Sequence, residues 1–571
     1  MKWWGWGAEG EYLDVSDKPY LWSFVEQVTG VSENSPKTPL PDVEKIDFPP
    51  QTLNRAYLTA IARDLRADQI KTDKMERLIH AYGKSFRDLL RMRLGIVEAA
   101  PDCVIYAESE ADVAAAVKLA VEHDVVLIPF GGGSNIAGSL EVRGANGRMV
   151  VSLDMKRMDK VLEVDQNSFT ARIQAGVLGP HMEEQLNAQG VTLGHFPDSF
   201  VYSTLGGWLA TRSAGMQSDK YGKIEDMVLS LRMVTPIGTI VSRTVPKCSN
   251  GIEVNRVCIG SEGILGVITE AVMQVHKLPD CRASYGYLFP TFESGAAAIY
   301  ECVKCECRPV VTRFSDLGKT ALSFAFKRRP KGLKGIMTKA VMAYLKLKRF
   351  DQEKVCLMIA TFEGDRKMYN YTRKRVNAIY RKHGAVNLGT SPGRAHERTK
   401  YDFPHIRDLC LDYHVMADVS ETSTVWSNLL PLYYETMKSL REALSAVADP
   451  YFLGCHISHT YHTGASLYFT FGCRMQKGRE IEQYLFIKKA VQDSFMRCGA
   501  TLSHHHAVGV EHLPWVAADV SPTGLKAVGA LKSGIDPNGV MNPGKIIPSE
   551  SPLKDWGLSE ESIANFRGAS R

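Results

Sequence analysis

The stretch Ile128-Pro129-Phe130-Gly131-Gly132-Gly133-Ser134-Asn135 follows directly on the apolar run Val125 to Phe130. Upstream lie a short apolar run, Val104 to Ala107, and an amphipathic pattern from Glu110 to Asp124. Strand, helix, strand is the rhythm of an α/β unit, and the glycines fall where its second strand ends. Consecutive glycines let a turn present backbone N–H groups to a phosphate, because no side chain blocks the approach. The spacing is not the dinucleotide fingerprint, and the Lys of a P-loop is missing. Taken alone, the stretch is better read as a plain tight turn.

It does not stand alone. Pro197-Asp198-Ser199 leads into Ser203-Thr204-Leu205-Gly206-Gly207-Trp208 and then Thr211-Arg212-Ser213-Ala214-Gly215. Tyr221-Gly222-Lys223-Ile224-Glu225-Asp226 follows, and later Gly260-Ser261-Glu262-Gly263-Ile264-Leu265-Gly266-Val267-Ile268-Thr269. Gly/Ser/Thr loops between strands at these separations predict one concave surface of backbone donors for a pyrophosphate. Residues 98–280 resemble the FAD-binding domain of the vanillyl-alcohol oxidase family of flavoproteins. The resemblance implies an α+β fold: a two-subdomain FAD-binding domain over 98–280 and an α/β cap over 281–500. An extended and helical segment precedes them over 1–97, and a C-terminal segment over 501–571 carries three histidines in a row. It implies FAD contacts from Pro129, Phe130, Gly131, Gly132, Gly133, Ser134 and Asn135, and from Asp198, Ser199, Ser203, Thr204, Gly206 and Gly207. Thr211, Arg212, Ser213 and Ala214 join them, with Glu262, Gly263, Leu265, Gly266, Val267 and Ile268. Members that anchor flavin through a His of the first loop place it among the glycines; Gly131 to Asn135 holds none, so non-covalent FAD is expected.

Composition limits the remaining classes. The chain has 571 residues, which at roughly 150 per domain allows two to four units. With 44% hydrophobic and 23% charged residues it is neither disordered nor fibrous. Lys+Arg 69 against Asp+Glu 63 leaves only +6, so no nucleic-acid partner is expected. Twelve cysteines are too few for a disulfide scaffold and are expected free, in a reducing interior. Met1 to Gly7 does not read as a signal peptide, and no apolar run reaches the ~18 residues of a membrane span. One stretch is unusual: Lys327 to Arg349 holds nine Lys/Arg and no acid. Leu333, Met337, Val341, Tyr344 and Leu347 share a helix face within it, which predicts a basic amphipathic helix, either on a membrane surface or packed on its own domain.

A second constellation is Ser503-His504-His505-His506-Ala507-Val508-Gly509. Adjacent imidazoles are not expected to converge on one ion, and no Cys or acid stands nearby at ligand spacing, so no metal is expected. Tyr468 lies in the predicted strand Gly464 to Phe471. Arg407, in Ile406-Arg407-Asp408-Leu409, and Arg313, in Val311-Thr312-Arg313-Phe314, stand among apolar residues; a single such Arg is more often an ion-pair partner. Together with Lys2-Trp3-Trp4-Gly5-Trp6-Gly7 and Phe362-Glu363-Gly364-Asp365, these segments resemble the ether-lipid-forming branch of the same family. Ala507 and Ile264 depart from it, where Gly and Thr are usual.

That resemblance implies catalytic roles for Tyr468, His504, His505, His506 and Arg407, and substrate binding by Arg407 and Arg313. The implied reaction replaces the acyl chain of acyl-dihydroxyacetone phosphate by a long-chain fatty alcohol, through a covalent flavin–substrate intermediate and without net redox. A peripheral membrane surface, a homodimer and a peroxisomal or related location are implied too, although Gly568 to Arg571 is not a Ser-Lys-Leu-type address. The residue types suit the task. Guanidinium forks hold phosphate, imidazoles move protons near neutrality and stabilise an oxyanion, and Tyr468, ordinarily near ~10, needs cationic neighbours. Two other readings compete. A flavin-dependent 2-hydroxy-acid dehydrogenase usually has a Glu before its C-terminal His-Gly, where this chain has Ser503. Its cap histidines would be His456, His459 and His462, whose spacing of three on a strand predicts opposite faces. An inert flavin-binding membrane scaffold has no need of Tyr468, Arg407 and three histidines.

Overall fold

The computed structural model describes residues 1–327, 351, 354–549 and 551–556. The expected basic helix near 327–349 lies, from residue 328 onward, outside the described residues. Among those described, no helix is long and apolar enough to cross a membrane.

Strands Cys103–Tyr106, Val150–Asp154 and Val126–Phe130 run parallel, with Ile70–Lys71 antiparallel at one edge. A parallel pair needs a crossover, and the helix Glu110–Glu122 supplies it. Ser109 caps that helix by accepting from the Asp112 N–H, and Val113, Ala116, Val117 and Ala120 form its buried face. At the other edge the C-terminal segment returns: Leu127 donates to the Val540 carbonyl at 2.8 Å and accepts from Asn542 at 2.8 Å. The strand that launches the glycine loop is thereby paired on both sides.

A five-stranded antiparallel sheet follows, in the order Val161–Asp165, Thr170–Gln174, Val267–Gln274, Val228–Thr235, Gly238–Val241. The cap is built on seven strands, all paired antiparallel: Val386–Asn387, Cys281–Phe289, Cys356–Gly364, Val311–Ser315, Tyr451–Thr460, Gly464–Arg474 and Val415–Val425. Period-2 alternation gives this sheet two unlike faces. Phe314, Ile457, Leu467, Phe469 and Phe471 point into a core roofed by the helices Phe292–Lys304, Leu429–Val447 and Glu480–Arg497. Their neighbours Arg313, His456, Tyr468 and Thr470 point the other way, into a cavity.

Apolar residues stand at helical spacing from Asp73 to Leu94, and the chain forms two helices there, Lys74–Ile79 and Phe86–Arg93. Between them the backbone touches the glycine loop: Lys84 N donates to the Asn135 carbonyl at 2.7 Å. A Cβ on Gly83 would stand 2.4 Å from that same oxygen, so contact with the loop overrides helix periodicity. The Gly- and His-rich stretch Thr501 to Pro548, whose composition suits site-building loops, also contains the helix Pro522–Ile535.

The N-terminal segment is bound in by charge. On the buried helix Phe86–Arg93, Arg87 and Arg91 donate to Glu141 at 3.0 and 2.9 Å, and Arg143 adds a third contact at 3.1 Å. Trp6 N donates to Asp408 at 2.8 Å, and the Lys84 ammonium to the Lys2 carbonyl at 3.0 Å. Removing one partner of a buried ionic cluster strands the others. Glu141→Ala should therefore cost about 3–5 kcal/mol in urea unfolding, whereas Glu98→Ala, at a carboxylate 74% exposed, should stay within about 0.5 kcal/mol.

Candidate active site

A cavity of ≈ 320 Å³ lies between the glycine loops and the polar face of the cap sheet. The first loop lines it from Pro129 to Asn135, facing Asp198, Ser199, Ser203, Thr204, Gly206 and Gly207. Thr211, Ser213, Ala214, Glu262, Gly263, Gly266, Val267 and Ile268 complete that wall. Arg212 and Leu265, expected among them, do not line it: Arg212 ends a helix at φ 53° and reaches Glu225, while Leu265 is buried in the core of the five-stranded half.

The cradle fits a dinucleotide. A Cβ on Gly131 would stand 2.3 Å from Thr204 Oγ1, and one on Gly132 would stand 1.8 Å from the Tyr202 carbonyl. Only glycine lets the two loops approach this closely and leave main chain toward the cavity. Ser261 Oγ, buried beside the cavity, has no hydrogen-bond partner among the described residues, so a donor or acceptor stands ready for a bound group. These residues are the ones that would hold FAD.

Opposite the cradle, cross-strand pairing sets Glu421, Tyr468 and His456 in one row, since directly opposed residues share a face. The Tyr468 ring lies 4.8 Å from His456, 6.1 Å from His505 and 5.5 Å from His506. Burial pushes the Tyr468 phenol up, and Asp198 adds to that, against the pull of Arg407 and Arg313. The expectation that His456 and His459 face opposite ways is overturned. A bulge between Ile457 and His459 adds one residue to the strand, so both histidines line the cavity. Ser218 Oγ holds His459 Nδ1 at 2.7 Å.

The histidine loop hangs from two buried carboxylates. Glu421 accepts from the backbone N–H of His504 at 2.8 Å, of His505 at 3.1 Å and of His506 at 3.1 Å, and from Ser503 Oγ at 2.6 Å. Glu262 accepts from Val508 N at 2.9 Å and Gly509 N at 2.8 Å. The Lys223 ammonium donates to the His504 carbonyl at 2.7 Å. Burial works against the Glu421 charge, but the His505 and His506 rings beside it keep its carboxyl well below the usual range. Between the two anchors Ala507 takes φ 73°, a left-handed conformation that explains why glycine is usual there.

His505 and His506 line the cavity, while His504 lies behind them. Adjacent histidines were not expected to converge, yet His504 Nδ1 and His505 Nδ1 meet at 2.9 Å, a distance at which one ring donates N–H to the other. His459, His504 and His505 form one group with ligand atoms within 4.8 Å of one another, and Glu421, His505 and His506 form another.

The two expected arginines differ. Arg407 lines the cavity but is committed, with Nη2 2.9 Å from Asp418 and Nη1 donating to the Lys84 carbonyl at 2.8 Å. Arg313 lies over the Phe403 ring at 5.0 Å and has no acid partner among the described residues. Lys319, which no sequence motif marks, also lines the cavity and donates to Thr470 Oγ1 at 3.0 Å. Burial and the neighbouring Arg313 push its ammonium down to about 7.

Gly132→Ala should yield folded protein without bound flavin, because its Cβ would overlap the Tyr202 carbonyl. Loss of the yellow absorbance with an unchanged far-UV spectrum checks this; full flavin occupancy would contradict the cradle.

Comparison with known proteins agrees with this geometry. The family model described as "FAD binding domain" matches residues 101–243, and that for "FAD linked oxidases, C-terminal domain" matches 278–546. Alkyldihydroxyacetonephosphate synthase from Dictyostelium discoideum is 40% identical over 572 residues, covering 96% of this chain and 94% of that protein. A solved alkyldihydroxyacetonephosphate synthase structure matches with TM-score 0.83 at 38% identity, covering 95% of this chain and 98% of that one. A substrate-bound p-cresol methylhydroxylase, 14% identical over 86% of this chain and 97% of its own, matches with TM-score 0.64 and shares the fold. With a relative this similar over nearly its whole length, and with an FAD cradle facing a histidine-bearing cap, the chain belongs to the alkyldihydroxyacetonephosphate synthases, FAD-dependent transferases of the vanillyl-alcohol oxidase fold.

Proposed function

We propose that the protein forms ether lipids by exchanging the acyl chain of acyl-dihydroxyacetone phosphate for a long-chain fatty alcohol. The observation that carries this is one cavity joining a flavin cradle, an Arg313 without an acid partner among the described residues beside Lys319, and Tyr468 ringed by histidines. FAD, when bound, supplies the nucleophilic ring through which the exchange runs without net redox. Arg313 and Lys319 hold the substrate phosphate as a charged pair. Arg407, fixed by Asp418, shapes the wall next to them. Tyr468 keeps its proton, because burial raises its pKa, and donates to the substrate ketone oxygen. A proton leaves and rejoins the carbon beside that ketone, and the cavity-lining imidazoles of His505 and His506 are its acceptors, His506 being held neutral by burial.

The apolar part of the wall, from Trp6, Leu322, Phe403, Pro404 and Ile406, suits a long chain. The run of Lys and Arg over 327–349 supports a further reading, that these chains arrive from an anionic membrane surface. The absence of His from the Gly131 to Asn135 loop supports non-covalent FAD.

Purified yellow protein incubated anaerobically with palmitoyl-dihydroxyacetone phosphate and hexadecanol should release palmitate and form the matching alkyl product, read by mass spectrometry. No exchange, with flavin bleaching by D-lactate instead, would move the protein to the dehydrogenase reading. Tyr468→Phe and His506→Ala should each cost about 10²–10⁴-fold in turnover with the flavin spectrum intact; wild-type rates in both would sink these assignments.

Lys319 adds a pH dependence. Its ammonium is charged below about 7 and neutral above, so phosphate attraction is present on the acid side and fades as pH rises. kcat/KM for the phosphorylated substrate should fall above that pH, and Lys319→Arg, charged throughout, should flatten the fall. An unchanged profile in the variant would remove Lys319 from the phosphate site.

A further inference from the structure

We infer that His505, His504 and Tyr461 form a proton relay joining the active-site cavity to a second cavity open to solvent. The inference rests on the reading above, in which a proton leaves and rejoins the carbon beside the substrate ketone. His505 lines the main cavity, and its Nε2 has no protein partner among the described residues. Its Nδ1 meets His504 Nδ1 at 2.9 Å. His504 lies off the cavity and uses its other nitrogen, Nε2, on Tyr461 Oη at 2.5 Å. Tyr461 follows the strand Tyr451–Thr460 and lines the second cavity with Ser423, Thr424, Asn428, Thr463 and Gly499. Its neighbours His462 and Thr463 are exposed.

Each contact in this series needs one hydrogen and one lone pair, so the tautomers are linked. Two settings are self-consistent. In one, Tyr461 donates to His504, His504 donates to His505, and His505 Nε2–H faces the cavity. In the other every hydrogen is reversed and His505 Nε2 presents a lone pair. Passage of a proton converts the second into the first. His505 Nε2 takes the proton from the substrate carbon, and its Nδ1–H moves to His504 Nδ1. His504 Nε2–H then moves to Tyr461 Oη, whose own proton leaves to water in the outer cavity. The electron pair of the broken C–H bond stays on the substrate as its enolate, and both imidazoles end neutral. Running the series backward returns the proton.

The surroundings favour transfer over storage. Burial and then Lys223 hold His504 well below the ordinary imidazole range, so a second proton does not rest there. Glu421, 3.3 Å from His505 Nδ1, steadies the setting in which that nitrogen carries hydrogen. His459, with its ring 5.1 Å from His504 and 5.2 Å from His505, has its Nδ1 occupied by Ser218. The loop backbone is pinned by Glu421 and Lys223, so the rings keep their register.

The test is Tyr461→Phe, which keeps the ring and removes the hydroxyl. Exchange of the substrate hydrogen with ²H₂O, read by mass spectrometry, should slow at least about ten-fold, with KM and the flavin spectrum unchanged. His504→Gln should slow it similarly, and the double variant should lose little more, as expected for residues acting in series. In the FAD-bound protein with ¹⁵N-labelled histidine, Tyr461→Phe should shift the tautomer pattern of both His504 and His505. Wild-type exchange in Tyr461→Phe, or a shift confined to His504, overturns the relay. If the wild-type protein makes no ether product, the function reading fails, and the histidine spectra alone then decide the relay.

Discussion

Glu421 accepts three consecutive backbone N–H groups and one hydroxyl while itself fully buried. An ionised carboxylate in such a place is tolerable only when its lone pairs are met, and the histidine loop meets them by curling its main chain around the carboxylate. Successive N–H groups turned inward make an anion-binding concavity, and here the anion belongs to the protein. The carboxylate rides on a cap strand, Val415–Val425, while Glu262, which holds the other end of the loop, belongs to a glycine turn of the flavin half. The loop thus registers the two halves against each other, and the cavity between them takes its shape from that registration.

Elsewhere charge is treated in two ways. Beneath the N-terminal helix, Arg87, Arg91 and Arg143 converge on Glu141, and the cluster closes on itself. Along the cavity, Arg313 keeps no acid among the described residues, and burial together with Arg313 pushes the Lys319 ammonium down. A closed cluster holds structure together, whereas an unclosed one is a demand for an outside anion. Arg407 falls between these cases, since Asp418, itself shared with Lys488, takes one edge of its fork.

The flavin half was legible because its constraint is local. Loops that touch main chain to main chain admit only glycine at Gly131 and Gly132, and that leaves an unmistakable trace in the sequence. The same motifs also hold Arg212 and Leu265, which do not line the cavity, because a turn has an outside as well as an inside. The cap half was only partly legible. Tyr468, His505 and His506 stood out by resemblance, but Glu421 is a lone acid in a strand, and its partners lie 82 to 85 positions further along the chain. Nothing within a few residues announces such a pairing. His459 was hidden for a different reason. Strict alternation puts it on the wrong face, and the bulge that corrects this is a property of two paired strands rather than of one sequence. Lys319 sits on a helix with no motif around it, and only the fold brings it beside Arg313.

The clamp on the histidine loop grips chiefly its main-chain amides. Placement and chemical identity are therefore specified separately: any residue able to follow the same backbone path is delivered to the same point above the flavin cradle. Such a loop is an interchangeable cassette. In physical terms the hydrogen-bonded frame of the loop is set by its main chain, and the chemistry it presents is set by the side chains hung on that frame.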